Sequence, residues 1–466
     1  MHPNRRPVRY IRHDRPENNS DVETLAIIGT GIAGLGCAHA LQRRFALTLY
    51  EQGGHVGGHA HTVQVEDAAG TIPIDTGFMT FNHVTYPQLT RLFGALGVAT
   101  QPSSMSFSVQ HRPAGLEFCG SSLDHLFGQR RNLISLRFWR MLLTIDRFNR
   151  EAVAALGSGA HEQQSLEQYL GERGYGDDFR DFYLMPMSCA VWSMAPEHML
   201  QFPATTLLRF FHNHGFLGLH TQHPWFTVSG GSQRYVEKLI APFRDRIYLR
   251  RAVVEVRRAA GAVTVLDQSG HRERYDRVIL ACHADQALKV LADADAAEQR
   301  VLGRFRYQPN SALLHTDESV MPATRRCWSS WNYRVSGLPD GGLSPSTVYW
   351  INSLQRPPTR QNYFVSINGE QALCPQKILA RIHYEHPLFD LDAVRAQREL
   401  PALNRRHSGV YYCGSYFRYG FHEDALSSAL ALSRLLDPAL AGEARAEPAS
   451  AEHAAVDELA LAGAGP

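Results

Sequence analysis

Lysine is nearly missing from this chain. Only Lys238, Lys289 and Lys377 occur in 466 residues, so arginine carries almost all the positive charge. The formal net charge of +2 excludes a protein built to neutralise nucleic acid in bulk. Cysteine is sparse as well. Seven are scattered, odd in number and without a C-x-x-C pair, which excludes a disulfide framework and favours a reducing compartment with free thiols. No apolar run approaches the roughly eighteen residues of a membrane span. The opening "MHPNRRPVRYIRHDRPENNS" is basic and polar with no apolar h-region, so no secretory signal is expected. A cytoplasmic location follows, with peripheral contact at the inner membrane face left open. No internal repeat is found, and 466 residues that are 44% hydrophobic suit two interleaved domains with a sizeable core.

Glycine, by contrast, is concentrated where it matters. Leu25-Ala26-Ile27-Ile28 is an apolar run of the kind buried on both faces of a sheet. Gly29-Thr30-Gly31-Ile32-Ala33-Gly34 then fits G-x-G-x-x-G, and apolar residues return at helical spacing from Ile32 to Phe45. Gly29 permits the turn, Gly31 lets backbone approach a pyrophosphate, and Gly34 lets the helix pack close on the strand. Free N–H groups at the helix N-terminus then face the phosphates. Leu47-Thr48-Leu49-Tyr50 reads as the second strand, ending in Glu51 where a carboxylate meets ribose hydroxyls.

A second cluster, Gly53-Gly54-His55-Val56-Gly57-Gly58-His59-Ala60-His61-Thr62, is too glycine-rich for a helix. A second backbone cradle suits a longer ligand, which favours FAD over NAD. His55, His59 and His61 lie in this loop, off any helix face and without a cysteine pair, so no metal is expected. Ile72-Pro73-Ile74-Asp75-Thr76-Gly77-Phe78 follows, a strand ending in a D-x-G turn. Near the far end, Val410 to Cys413 reads as a last strand of the nucleotide sheet. Gly414 allows close approach there, and a helix begins near His422 with Glu423 and Asp424 in its first turn.

This order of motifs resembles the flavin amine-oxidase and phytoene-desaturase superfamily. The resemblance implies an α/β fold: a Rossmann-like, glutathione-reductase-like FAD-binding domain (23–78, 226–300 and 405–437) with an interleaved α+β substrate domain (79–225 and 301–404). Segments 1–22 and 438–466 are expected to be disordered. The superfamily also implies non-covalent FAD held by Gly29, Gly31, Ile32, Ala33, Gly34, Glu51, Gly57, Gly58, His59 and Thr62. A backbone valine (Val253 or Val254) pairs with adenine in this scheme. Gly414, Ser415, His422, Glu423 and Asp424 complete the set, the terminal helix pointing at the flavin pyrimidine. Many relatives carry an acid after the glycine, where this sequence has Ser415.

The middle of the chain, 78–225, reads as mostly helical and rich in aromatics. Met185, Met187, Trp192, Phe210, Phe211, Phe216 and Trp225 are candidates for an apolar tunnel or for plain core. His212, His214 and His223 among them are candidate acid–base or orienting groups. "NLISLRFWRMLLTIDRFNREAV" (132–153) is an amphipathic, arginine-rich helix, read either as a membrane-interface element or as a cover with its arginines in solvent.

Taken with "DTGFMTFN", "TVSGGSQRYV" and "YYCGSYFRYGFHEDALSSAL", the motifs are similar to bacterial amine-oxidase-like flavoproteins associated with cyclopropane-fatty-acid synthase-like methyltransferases. A subset of these is linked to desaturation of methyl-branched fatty acyl chains. The resemblance therefore implies a desaturase or dehydrogenase acting on an apolar or phospholipid acyl substrate, with a lipid methyltransferase as partner and no nucleic acid. A peroxide-releasing amine oxidase, a lipid double-bond isomerase and a non-catalytic flavin-binding partner are the alternatives. Against the amine oxidase, no lysine sits in the motif that places one near flavin N5.

Overall fold

The computed structural model describes residues 22–218, 221–406 and 408–440. The segments expected to be disordered, 1–22 and 438–466, lie outside the described residues except for 22 and 438–440.

The first motif folds as strand, turn and helix: β1 (Thr24–Ile28), α1 (Ile32–Leu41) and β2 (Ala46–Tyr50). The helix stops at Leu41, short of Phe45, and a turn through Arg44 delivers the chain to β2. A five-stranded parallel sheet forms around β1, in the order Ile247–Tyr248, β2, β1, Arg277–Leu280, Val410–Tyr412. Four chain segments, far apart in sequence, thus build one sheet. Alternation along β1 explains its unbroken apolarity. Leu25 and Ile27 join a core with α1 and the helices Gln233–Ile240 and His422–Leu436, while Ala26 and Ile28 pack on the opposite face.

That opposite face is covered by an antiparallel sheet of Val253–Ala259, Ala262–Asp267 and Arg272–Tyr275. A larger seven-stranded sheet runs Ile378–Leu388, Arg306–His315, Phe364–Ile367, Leu343–Trp350, Trp331–Gly337, Phe107–His111, Leu116–Cys119. Its neighbours are antiparallel except Trp331–Gly337 beside Phe107–His111.

The helical reading of 78–225 needs correction. Phe81–Asn82, Thr100–Ser103, Phe107–His111 and Leu116–Cys119 are strands. They are short, one carries Pro102, and the first three are held by cross-strand pairing with distant segments, while Leu116–Cys119 pairs only with the neighbouring Phe107–His111. Residues 300–390 read in the sequence as further strands forming a sheet over the flavin, and one of them, "STVYWINSL", does not stay extended, since Ile351–Leu354 turns helical after Trp350. The helix sought in 132–153 is a 3₁₀ turn, Arg130–Ile134, then a long helix, Leu136–Ser158, capped by the Ser135 side chain on Phe138 N–H. Among the described residues, no helix is long and apolar enough to cross a membrane.

Candidate active site

The two glycine clusters meet. Gly57 N–H donates to the Thr30 carbonyl at 3.0 Å, and a Cβ on Gly58 would stand 3.1 Å from Gly31 Cα. Gly29, Gly57 and Gly58 have φ of +102°, +121° and +59°, conformations that a side chain disfavours. Gly34 is a packing glycine, because a Cβ there would lie 2.0 Å from the Gly29 carbonyl oxygen. Gly31 differs from all of these. A Cβ on it would touch nothing within 4 Å, since it faces a cavity of about 1400 Å³.

Gly29, Gly31, Ile32, Ala33, Glu51, Gly58, His59, Val253, Val254, Gly414, Ser415 and His422 all stand on that cavity's wall. The α1 N-terminus there has no side-chain cap and no acid in its first turn, so its N–H groups await an anion. Glu51 is fixed beside it by Thr30 N–H and Oγ1 (3.1 and 2.5 Å) and by Gly53 N–H (2.7 Å). Val254 falls where the pairing of its strand shifts register, which leaves its backbone outside the ladder.

Gly34, Gly57, Thr62, Glu423 and Asp424 lie off the wall. The reason for the acids is helix rotation. His422 and Ala425 face the cavity, and the two residues between them turn inward. Glu423 accepts from Gln88 and Leu89 N–H at the start of the Pro87–Leu96 helix, and Asp424 accepts from Phe421 N–H. Burial pushes the Glu423 carboxyl up to about 7 and that of Asp424 to about 6. Thr62 instead donates to Asp75 (2.6 Å), a buried carboxylate that also accepts from Ser232 and Gln355 and so ties four segments together.

Histidines of the second cluster separate. His55 stacks on His61, whereas His59 stacks on Tyr384 at 4.5 Å with His386 beside it. Among the described residues no three potential metal ligands gather. The buried His59 Nε2 has no hydrogen-bond partner within the protein, an orphaned atom at the junction of both cradles. Across the wall, His422 stacks on Phe78 (4.1 Å) and accepts from Tyr235 Oη (2.5 Å); burial lowers its pKa to about 3.

From Phe421, next to His422, the cavity continues among aromatics. Phe210 stacks on Phe421 and His214 (5.1 and 3.9 Å), and Trp192 lies 4.6 Å from Phe210. Trp192, Phe210, Phe216 and Trp225 line the cavity, as four of the seven tunnel candidates; Met185, Met187 and Phe211 do not. A π-helical turn, Arg180–Leu184, feeds the Met185–Trp192 helix, which Ser193 ends at φ +50°. Of the three candidate histidines only His214 is on the wall. His212 is exposed, and His223 donates to the Asn213 carbonyl. His214 Nδ1–H donates to the Phe210 carbonyl at 2.9 Å, and burial lowers its pKa to about 4, so the neutral ring offers Nε2 as its basic nitrogen.

The sequence leads one to expect strands of 300–390 as a sheet over the flavin, but it does not single out the side chains that this sheet brings to the wall. Asn310 Nδ2 donates to His386 Nδ1 (2.7 Å) and to the Ser193 carbonyl (3.1 Å), and Tyr349 and Trp331 stand near by. Nothing local marks these residues, because strand pairing over long separations brings them here.

The cradle thus fits a dinucleotide: an uncapped helix N-terminus, an open Gly31, a fixed carboxylate and an orphaned imidazole nitrogen. The fold is similar to the CLA-producing fatty acid isomerase from P. acnes, with 15% identity, TM-score 0.62, and 90% of this chain and 99% of that one covered. It is similar also to putrescine oxidase bound to putrescine (14%, 0.62, 89% and 98%) and to cyclohexylamine oxidase from Brevibacterium oxydans IH-35A (16%, 0.61, 89% and 99%). No curated protein matches the chain in sequence. Residues 32–382 match the family of flavin containing amine oxidoreductases, so the chain belongs to that family and is an FAD-dependent oxidoreductase.

Proposed function

We propose that this FAD-dependent oxidoreductase desaturates an apolar lipid, such as the methyl-branched acyl chain of a phospholipid. One observation carries the reading. The cavity runs from the nucleotide cradle into a network of Trp192, Phe210, His214, Phe216, Trp225 and Phe421 that holds neither lysine nor carboxylate. An alkylammonium substrate would have only the aromatic faces as charge partners there, whereas an acyl chain needs no charge partner at all. Glu51 and Glu385, the carboxylates on the wall, are engaged elsewhere, with Thr30 and Gly53 and beside His283.

FAD, when bound without a covalent link, supplies the hydride acceptor. Gly31, Ile32 and Ala33 hold its diphosphate, Glu51 its ribose hydroxyls, the Val254 backbone its adenine, and Gly414, Ser415 and His422 its other half. The aromatic walls align the chain and exclude water. Loss of a hydride from one carbon and a proton from its neighbour leaves a C=C bond. His214 Nε2 takes that proton, its conjugate acid being strong enough at neutral pH to pass it on to solvent.

The same walls serve double-bond isomerisation, in which the hydride returns to the chain, and the similarity to a fatty acid isomerase favours that as the second reading. Mass spectrometry of acyl lipids after incubation with the flavin-loaded protein separates the outcomes. Desaturation lowers the mass by two hydrogens, and isomerisation moves a double bond at constant mass. Unchanged lipids together with peroxide release from amines overturn the proposal.

A further inference from the structure

We propose that residues 123–143 form a docking surface for an anionic phospholipid bilayer. The four most exposed large apolar side chains among the described residues all lie in this stretch: Ile134 (87% exposed), Leu123 (75%), Leu136 (73%) and Leu143 (69%). Leu133 and Trp139 add to them. The patch is continuous, since Leu123 begins the short helix Leu123–Leu126, and the ring of Phe127 just after it lies 5.3 Å from that of Trp139. Helix Leu136–Ser158 commits Phe138, Met141, Phe148, Ala152 and Ala155 to the interior, and that leaves Leu136, Arg140 and Leu143 aligned on the outer face. Trp139 Nε1–H is already satisfied by the Leu133 carbonyl (2.9 Å), so the indole presents only apolar surface outward.

Shape and charge name the occupant. Side chains exposed to this degree stand proud of the surface, where a peptide partner or a second copy needs a groove or a flat face. A bilayer accepts protruding apolar groups at its headgroup boundary. Four arginines and one aspartate occupy residues 123–143. Asp124 pairs with Arg130 and Asp178 with Arg137, while Arg131 and Arg140 have no carboxylate partner among the described residues. An apolar tip rimmed by unpaired guanidinium groups attracts anionic headgroups. The inference goes beyond the substrate proposal, and its test needs no turnover, so either one fails independently of the other.

The test uses the flavin-loaded full chain with sedimentable vesicles of phosphatidylglycerol and phosphatidylethanolamine, and separately of phosphatidylcholine alone. Binding is expected to be about ten-fold tighter to the anionic vesicles and to weaken at high salt. The double variant I134D/L136D is expected to lose about ten-fold in binding with flavin content unchanged, and R131E/R140E to lose the preference for anionic lipid. Tryptophan emission should shift to the blue on binding in the native chain and not in W139F. A native chain that stays in the supernatant overturns the proposal, as does an I134D/L136D variant that binds like the native chain. If I134D/L136D instead turns a dimer into a monomer while the native chain ignores vesicles, the patch is an interface between copies and the proposal falls.

Discussion

Gly29, Gly31 and Gly34 belong to one motif and fail differently when a side chain is added. At Gly34 a Cβ meets the Gly29 carbonyl oxygen at 2.0 Å, so Gly34→Ala is expected to lower the melting temperature of the protein with or without cofactor. At Gly31 the same atom meets no protein atom within 4 Å. Gly31→Val is therefore expected to fold, with an unchanged melting temperature for the cofactor-free chain, and to purify colourless because its side chain fills the place of the diphosphate. Visible absorbance per mole of protein checks this; full flavin occupancy in Gly31→Val contradicts it. At His214, replacement by Asn keeps a donor for the Phe210 carbonyl and removes the basic nitrogen. His214→Asn is expected to keep its flavin and lose about 10²-fold or more in turnover. The three glycine roles are legible in the sequence, because the motif's spacing encodes them. Choosing His214 over His212 and His223 is not, since only the packed structure shows which ring faces the cavity.

The terminal helix, His422–Leu436, shows the same division among elements. Its start is legible from periodicity and from the acids of its first turn, yet its rotation is set by packing on α1 and on the Pro87–Leu96 helix. Glu423 consequently caps that second helix. Its carboxyl is raised from 4.5 to about 7, so the folded state holds a proton that the unfolded state releases between those values. Its charge thus destabilises the fold progressively as pH rises through that window. Glu423→Gln removes this dependence. The stability of the variant relative to the native chain is expected to improve from pH 5 to pH 8, as read by denaturant midpoints; a difference that is flat or declines with pH contradicts the assignment.

Across the whole molecule, the parallel sheet is legible in Leu25–Ile28, Leu47–Tyr50 and Val410–Cys413, apolar runs that end at a glycine or an acid, whereas its two-residue edge strand Ile247–Tyr248 is not. The seven-stranded sheet is legible only in its strands from 300–390, and Phe107–His111 is not, since it depends on a partner more than two hundred residues away. The wall side chains Asn310, Tyr349 and His386 are not singled out in the sequence. Burial also keeps many histidines neutral: His61, His214 and His386 are lowered to about 4, His422 to about 3, and His59 well below its usual value. Below the unfolded value of 6.5 the unfolded chain binds more protons, so stability is lost as pH falls from there toward 4. Asp75, Glu423 and Asp424 act oppositely but are fewer. Denaturation midpoints are expected to fall between pH 7 and pH 5, and a rise contradicts this balance. Anaerobic mixing followed by visible absorbance decides whether a lipid-fed, FAD-bearing cavity carries the activity. Acyl lipids are expected to bleach the oxidised flavin band of the native protein while alkylamines leave it intact; bleaching by amines and not by lipids makes the protein an amine oxidase instead.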